Sequence, residues 1–260
     1  MKRSPPQRIV ITGASSGLGA GLACAYAAPG VMLALIARDI PRLTTVTAEC
    51  QARGATVTAA GIDVSDAAAM ADFLTAFDAT GPVDLLIANA GIAHGTDAAG
   101  GLETHAQATR QIAVNLLGTI NSIAPLLPAL RARRDGHIAV VASVAGYRGL
   151  PDSPGYCASK AGVRLYGESL RAALGADGVT VSVIVPGFFV SPMSGRFIGG
   201  QPMVMPLAAT VDRIVAGLAR GQGRIVLPRR LGVLLQITDL LPAALGDAVI
   251  RRFRFHITGS

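Results

Sequence analysis

The chain has no tryptophan, four tyrosines and seven phenylalanines in 260 residues, so aromatics make up only 4%. A surface that stacks nucleobases needs such rings. Their scarcity argues against a nucleic-acid partner, although 23 basic residues outnumber 16 acidic ones. The basic residues are mostly scattered arginines. An anionic cofactor or an acidic membrane surface accounts for the net charge of +7 equally well. Cys24, Cys50 and Cys157 are odd in number, far apart in sequence and without metal-ligand spacing, which excludes a disulfide framework or a cysteine metal site. Reduced thiols in the cytoplasm are expected. Residues 1–7 are short and polar, so no secretory signal is read there. No uninterrupted apolar run reaches transmembrane length. Charged residues are only 15% and hydrophobic residues 51%, which excludes a disordered chain. No linker, repeat or low-complexity block interrupts the sequence, and one domain over 1–260 is expected.

What is present is a regular alternation. Residues 8–12 form a short apolar run that breaks into Gly13-Ala14-Ser15-Ser16-Gly17-Leu18-Gly19, with a helix after it. A strand, a glycine turn and a helix in that order are a dinucleotide-binding start. Gly13 permits the tight turn, Gly17 lets the backbone approach a pyrophosphate, and Gly19 lets the helix pack closely on the strand. The helix N-terminus offers free N–H groups to phosphate. Further strands are expected at 31–37, 56–62, 83–88, 137–142, 179–185 and 224–227, separated by helices at 40–53, 66–77, 105–133 and 155–174. The pattern predicts an α/β fold: a doubly wound parallel sheet of about seven strands with helices on both faces. In such sheets ligands sit beyond the strand C-terminal ends. Gly13, Arg38, Asp63, Asn89, Ser143 and Pro186 all fall there.

Tyr156 and Lys160 are four apart and share one face of the helix at 155–174. A fixed ammonium near a phenol favours the phenolate. The pair therefore predicts a lowered tyrosine pKa and a proton donor and acceptor near neutral pH.

With these motifs in order, the sequence resembles the short-chain dehydrogenase/reductase family, in its short single-domain branch, from about residue 9 to 227. The resemblance rests on Thr12-Gly13-Ala14-Ser15-Ser16-Gly17-Leu18-Gly19, the Asp63-Val64 pair, Asn89-Ala90-Gly91, Asn115, Ser143, the Tyr156-x-x-x-Lys160 spacing and Pro186-Gly187. Ala88 stands where a second asparagine is common, and Ser191 where a threonine often contacts the nicotinamide amide. The resemblance implies a Rossmann-type domain and an NAD(P)-dependent oxidoreductase acting on a carbonyl or secondary alcohol. It implies that Tyr156 transfers the proton and that Lys160 lowers its pKa and holds the nicotinamide ribose. Ser143 is implied to polarise the carbonyl, and Asn115 to hold a water linking Lys160 to solvent. Asp63 and Val64 would contact adenine. A homodimer or homotetramer through the helices at 105–133 and 155–174 is also implied.

NAD-selective sites usually place an acid at the end of the second strand. Here that place reads Ala37-Arg38-Asp39, with Ala37 at the deciding position. An arginine fork suits a 2′-phosphate, so NADP(H) is favoured. NAD(H) stays open, because a one-residue shift would offer Asp39. Residues 188–205 carry Phe188, Phe189, Met193, Phe197, Ile198, Met203 and Met205, which suggests a medium-sized, apolar carbonyl substrate. The alternatives are a sugar or polyol dehydrogenase, and a non-catalytic cofactor-binding regulator. The extension at 229–260 reads as two short amphipathic helices divided near Pro242 and flanked by arginines. It is expected to bury an apolar face and extend the substrate region, with peripheral membrane contact as the alternative.

Overall fold

A computed structural model describes residues 5–96, 100–251 and 254–257. The chain runs β1 (Arg8–Thr12), α1 (Gly17–Tyr26), β2 (Met32–Ile36), α2 (Ile40–Ala52), β3 (Thr56–Ala60), α3 (Ala67–Ala79) and β4 (Leu85–Ala88). Then come α4 (His105–Gln111), a π-helical turn (Ile112–Leu117), α5 (Gly118–Ile123), α6 (Leu127–Arg133), β5 (His137–Val141), α7 (Pro154–Leu174) and β6 (Thr180–Pro186). The remainder is β7 (Phe197–Gly199), α8 (Leu207–Ala219), β8 (Arg224–Leu227), α9 (Arg229–Leu240), α10 (Ala243–Ile250) and β9 (Phe255–Ile257).

Seven strands form one sheet in the order β3-β2-β1-β4-β5-β6-β8, with every pairing parallel. Successive side chains of a strand point to opposite faces, and each face is covered, which explains the near-continuous apolar runs. Val10, Ala34 and Ile36 enter one core with Leu74 of α3, Val163 of α7 and Leu235 of α9. Ile9, Ile11, Leu33 and Leu35 enter the other with Leu22 of α1, Val46 of α2 and Ile214 of α8. The predicted doubly wound Rossmann-type sheet is thus the observed one.

Local chemistry starts the helices where the chain leaves the strands. Asp39 accepts from the Arg42 amide at 3.1 Å and Asp66 from the Ala69 amide at 3.0 Å, each an N-cap. Thr104 and Gln107 form a reciprocal capping box on α4.

The expected single helix at 105–133 is a correction. Its middle widens into the π turn, and it breaks before α6, where Pro125 cannot donate a helical bond. By length and composition this tract is apolar enough to cross a membrane, which a count of uninterrupted runs did not reveal. In the fold Val114, Asn115, Ile123, Leu126 and Leu130 are buried within it. Helix α8 was not expected, although its buried Thr210, Val211, Ile214, Gly217 and Leu218 follow a helical period. Cys24 of α1 and Cys50 of α2 lie near each other, and burial pushes Cys50 up to about 12.

The extension forms the two expected helices, α9 and α10, separated at Pro242. Arg148 holds them together, with Asp239 at 3.5 Å and Asp247 at 2.6 Å. Leu231, Leu235 and Ile250 are buried, whereas Val233, Ile237, Leu240 and Leu245 are exposed. Of the flanking basic residues, Arg252 lies outside the described residues, as do residues 1–4 at the other end.

Candidate active site

The strand order reverses between β1 and β4, and a crevice opens beyond their C-terminal ends. Side chains tie the two strand ends together. The Thr12 hydroxyl accepts from the Asn89 and Ala90 amides at 3.0 and 3.1 Å, and the Asn89 amide group donates to the Thr12 carbonyl at 2.9 Å. Gly13 has φ +66°, and a Cβ there would stand 2.7 Å from the Ala90 Cα. A Cβ at Gly19 would stand 2.2 Å from the Gly13 carbonyl oxygen. Only glycine lets the first turn of α1 come this close.

The resulting cleft has a volume of about 620 Å³. Of the expected cofactor residues, Gly13, Ser15, Ser16, Gly17, Leu18, Arg38, Asp63, Val64, Asn89, Ala90, Gly91, Pro186, Gly187 and Ser191 line it. Gly19 does not; it acts from behind, through the close approach just described. Ser16 at the N-cap of α1 makes no side-chain cap hydrogen bond, so the helix N–H groups face the cleft without a side-chain partner. A dinucleotide with its pyrophosphate at that helix end fits this crevice.

At the end of the cleft beside Arg38, Asp63 sits between two arginines. Arg38 is 3.5 Å away and Arg110, from α4, bonds the same carboxylate oxygen. Burial works to raise the Asp63 pKa but is outweighed by hydrogen bonds from the Ser65 amide and hydroxyl and from Arg110, which bring it to about 2. Asp39 caps α2 and pairs with Arg42 at 3.4 Å, while the Ala37 side chain is buried. Arg42 also lines the cleft, and it was missed. Its position in the first turn of α2, four residues after Arg38, was the available signal. Arg110 was also missed and had no signal, since only the fold brings α4 beside Asp63.

At the other end, Asn115, Ser143, Tyr156 and Lys160 come together. The π turn places the Asn115 side chain inward. It accepts from the Ile92 amide at 2.8 Å and donates to the Ile92 carbonyl at 3.0 Å and to the Ser159 hydroxyl at 2.9 Å. Asn115 therefore clamps the chain after β4 to the helix that carries Tyr156, a positioning contact that the sequence reading did not foresee. Its own carbonyl accepts from the Thr119 hydroxyl at 2.7 Å. Lys160 is 4% exposed, and its ammonium donates to the Val141 carbonyl at 2.8 Å. That ammonium lies 5.9 Å from the centre of the Tyr156 ring. A Cβ at Gly91 would come within 3.3 Å of both Lys160 Nζ and Asn115 Oδ1, so glycine makes room for the charge.

The expected lowering of the Tyr156 pKa is corrected. Burial pushes the phenol up to about 12, and only the Ser143 hydrogen bond opposes it. Burial also pulls Lys160 down to about 8. A phenol protonated at neutral pH can donate to an oxygen in front of it.

Next to the cleft is a smaller pocket lined by Val144, Leu150, Phe188, Phe189, Met193 and Phe197. Ser143 and Tyr156 line both spaces. The Ser191 hydroxyl also borders both, but is engaged by the Ser194 amide at 3.1 Å. His94 has burial, then Arg196, lowering its pKa. The Arg196 guanidinium donates to the Ala93 carbonyl at 2.8 Å.

A family model described as short chain dehydrogenase matches residues 7–199. The chain belongs to this family, and it is an NAD(P)-dependent oxidoreductase acting on CH–OH or C=O groups. It is 37% identical over 246 residues to an uncharacterized oxidoreductase of Myxococcus xanthus, covering 94% of this chain and 96% of that protein. It is 39% identical over 227 residues to an uncharacterized oxidoreductase of Mycobacterium tuberculosis, covering 85% and 88%. Among solved structures, a short-chain dehydrogenase from Sphingobium yanoikuyae in complex with NADPH superposes with a TM-score of 0.78 at 26% identity, covering 95% and 96%. A family member from Burkholderia phymatum in complex with NAD gives 0.80 at 23% identity, covering 95% of each chain, and shows likeness of fold.

The buried lysine has a consequence for stability. The unfolded chain releases this proton near 10.5 and the folded chain near 8. Between those values the unfolded state binds more protons, so this group's contribution to stability rises with pH; below 8 the cost of burying the ammonium is fully present. Tyr156 acts in the opposite sense, and only above pH 10, where its unfolded phenol ionises. Denaturant titrations from pH 8 to 10.5 should show the wild type gaining roughly 3 kcal/mol relative to Lys160→Met. Parallel pH dependences for the two proteins would contradict the buried charge.

Proposed function

We propose that the protein is an NADP(H)-preferring carbonyl reductase, or in reverse a secondary-alcohol dehydrogenase, for medium-sized apolar substrates. The observation that carries this reading is the position of Ser143 and Tyr156 on the wall shared by the cofactor cleft and an apolar pocket. A carbonyl oxygen there meets two hydroxyls, while its substituents meet Phe188, Phe189, Met193 and Phe197. The bound cofactor supplies or takes up the hydride. Tyr156 gives its proton to the oxygen on which charge develops. Ser143 hydrogen-bonds both that oxygen and the phenol. Lys160 holds the ribose hydroxyls and stabilises the phenolate once the proton has left. Asn115 keeps the chain after β4, α7 and the lysine in register. The apolar lining speaks against a sugar or polyol substrate, whose hydroxyls would need partners.

The NADP(H) preference rests on Arg38 and Arg42 at the cleft edge beside Ala37, with Asp39 engaged as the cap of α2. The Sphingobium yanoikuyae neighbour carries NADPH and the Burkholderia phymatum neighbour NAD, so the preference rests on these residues alone. Assembly as a homodimer or homotetramer through α4–α6 and α7 is supported by Leu117 and Leu165, exposed on those elements at 48% and 53%. Light scattering at micromolar concentration should give two or four times the chain mass; a monomer would rule this out.

Two substitutions separate the roles. Tyr156→Phe should lower kcat by about 10²–10⁴-fold while cofactor affinity stays nearly unchanged, because it removes a proton donor and little volume. Retention of most activity would overturn the proton-transfer role. Arg38→Ala should raise KM for NADPH about ten- to a hundredfold, the loss of a charge-assisted contact worth roughly 1.5–3 kcal/mol, and leave KM for NADH little changed. Equal effects on both cofactors would refute the preference.

A further inference from the structure

Three loops surround the site: residues 147–153 before α7 and 187–206 after β6 border the apolar pocket, and residues 89–96 after β4 border the cleft beside it. One short strand near the C-terminus touches all three. β9 pairs antiparallel with β7 of the 187–206 loop, with Ile257 opposite Phe197. The Ile257 amide donates to the Thr96 carbonyl at 3.0 Å, and the Thr96 amide donates to the Asp152 carbonyl at 2.7 Å. Arg254 bonds the Asp152 carboxylate at 3.0 Å, and Asp152 is 0% exposed. A buried carboxylate of the 147–153 loop is thereby paired with a guanidinium from the tail, and losing that pairing would weaken the compensation of a charge in a poorly solvated place.

The side chain of Ile257 faces the site. With Ala93 it forms a small apolar cluster, separate from the two cores of the sheet, against which Leu150, Tyr156, Met193 and Phe197 pack. All four of those residues line the apolar pocket. Its Cδ1 lies 2.9 Å from where a Cβ on Gly95 would stand, so the 89–96 loop has no room to close further on it.

We propose that β9 is the outer support of the substrate pocket, and that Ile257 is a positioning residue for specificity. It sets how far Leu150, Met193 and Phe197 stand from Tyr156, and so the largest ketone that can be reduced. The size limit rests on the carbonyl-reductase reading; the structural support does not. Shortening Ile257 leaves space behind three pocket walls, and one methylene in such a pocket already changes discrimination about 10–200-fold.

The test uses full-length Ile257→Ala and Arg254→Ala beside the wild type, with acetophenone and the larger 1-acetonaphthone as probes and NADPH as reductant. Ile257→Ala should raise the ratio of kcat/KM for the larger over the smaller ketone about tenfold, mainly through KM, because Tyr156 itself is retained. Hydrogen exchange is measured on the same proteins without any substrate. Arg254→Ala should speed exchange of the amides of residues 197–199 about tenfold while those of β6 keep their rates. An unchanged ratio in Ile257→Ala would overturn the specificity role. Unchanged exchange at 197–199 in both variants would overturn the support. If the wild type reduces neither ketone with either cofactor, the carbonyl-reductase reading fails and the exchange result still decides the role of β9.

Discussion

The ammonium of Lys160 is held almost entirely out of water, and much of the site follows from that constraint. A buried charge must be hydrogen-bonded or lose its proton. Here the carbonyl of Val141, at the end of β5, accepts from it. Space for the charge comes from Gly91, where any side chain would press on Nζ. The helix that carries the lysine comes close to the turn after β5, since a Cβ on Gly146 would stand 2.7 Å from the Lys160 carbonyl oxygen. Asn115 then fixes the same helix to the chain after β4 through Ile92 and Ser159. Two strand ends and one helix are thus joined around a single charge. Tyr156, one turn earlier on that helix, inherits its position from this arrangement.

The cofactor end obeys a different rule, that of positive groups gathered at one edge of the cleft, two of them held by neighbouring carboxylates. The uncapped N-terminus of α1, Arg38 and Arg42 all border one cleft. Asp63 would oppose them, but it is already paired with Arg38 and Arg110. Its charge organises the cleft wall by holding the loop after β3 to α4. The same crevice therefore has a basic end suited to phosphates and a buried, weakly polar end suited to a carbonyl group.

Much of this was legible because it is local. The glycine turn, the residues at the strand ends and the Tyr156–Lys160 spacing depend on a few neighbours, and the structure brings them to one cleft. What was not legible depends on burial or on distant pairing. The spacing of Tyr156 and Lys160 suggested a lowered phenol pKa, but spacing says nothing about desolvation, which here acts upward. The π turn at Ile112–Leu117 is composed like the helix around it, so nothing in its hydropathy marks the extra residue. β7 and β9 are three residues each and nearly sixty positions apart, too short and too remote for a pattern to show. Helix α8 is a different case: its period was present in the sequence and was not read.

The central claim is that this cleft delivers a hydride to a carbonyl carbon while Tyr156 protonates its oxygen. The most direct measurement follows the transferred atom. Wild-type protein is incubated with an aryl ketone and NADPH deuterated at C4, each face labelled in turn, and the alcohol is analysed by mass spectrometry. One deuterium at the carbinol carbon, from one labelled face only, is the predicted result. Tight cofactor binding with no deuterated alcohol from any ketone tested would contradict the account.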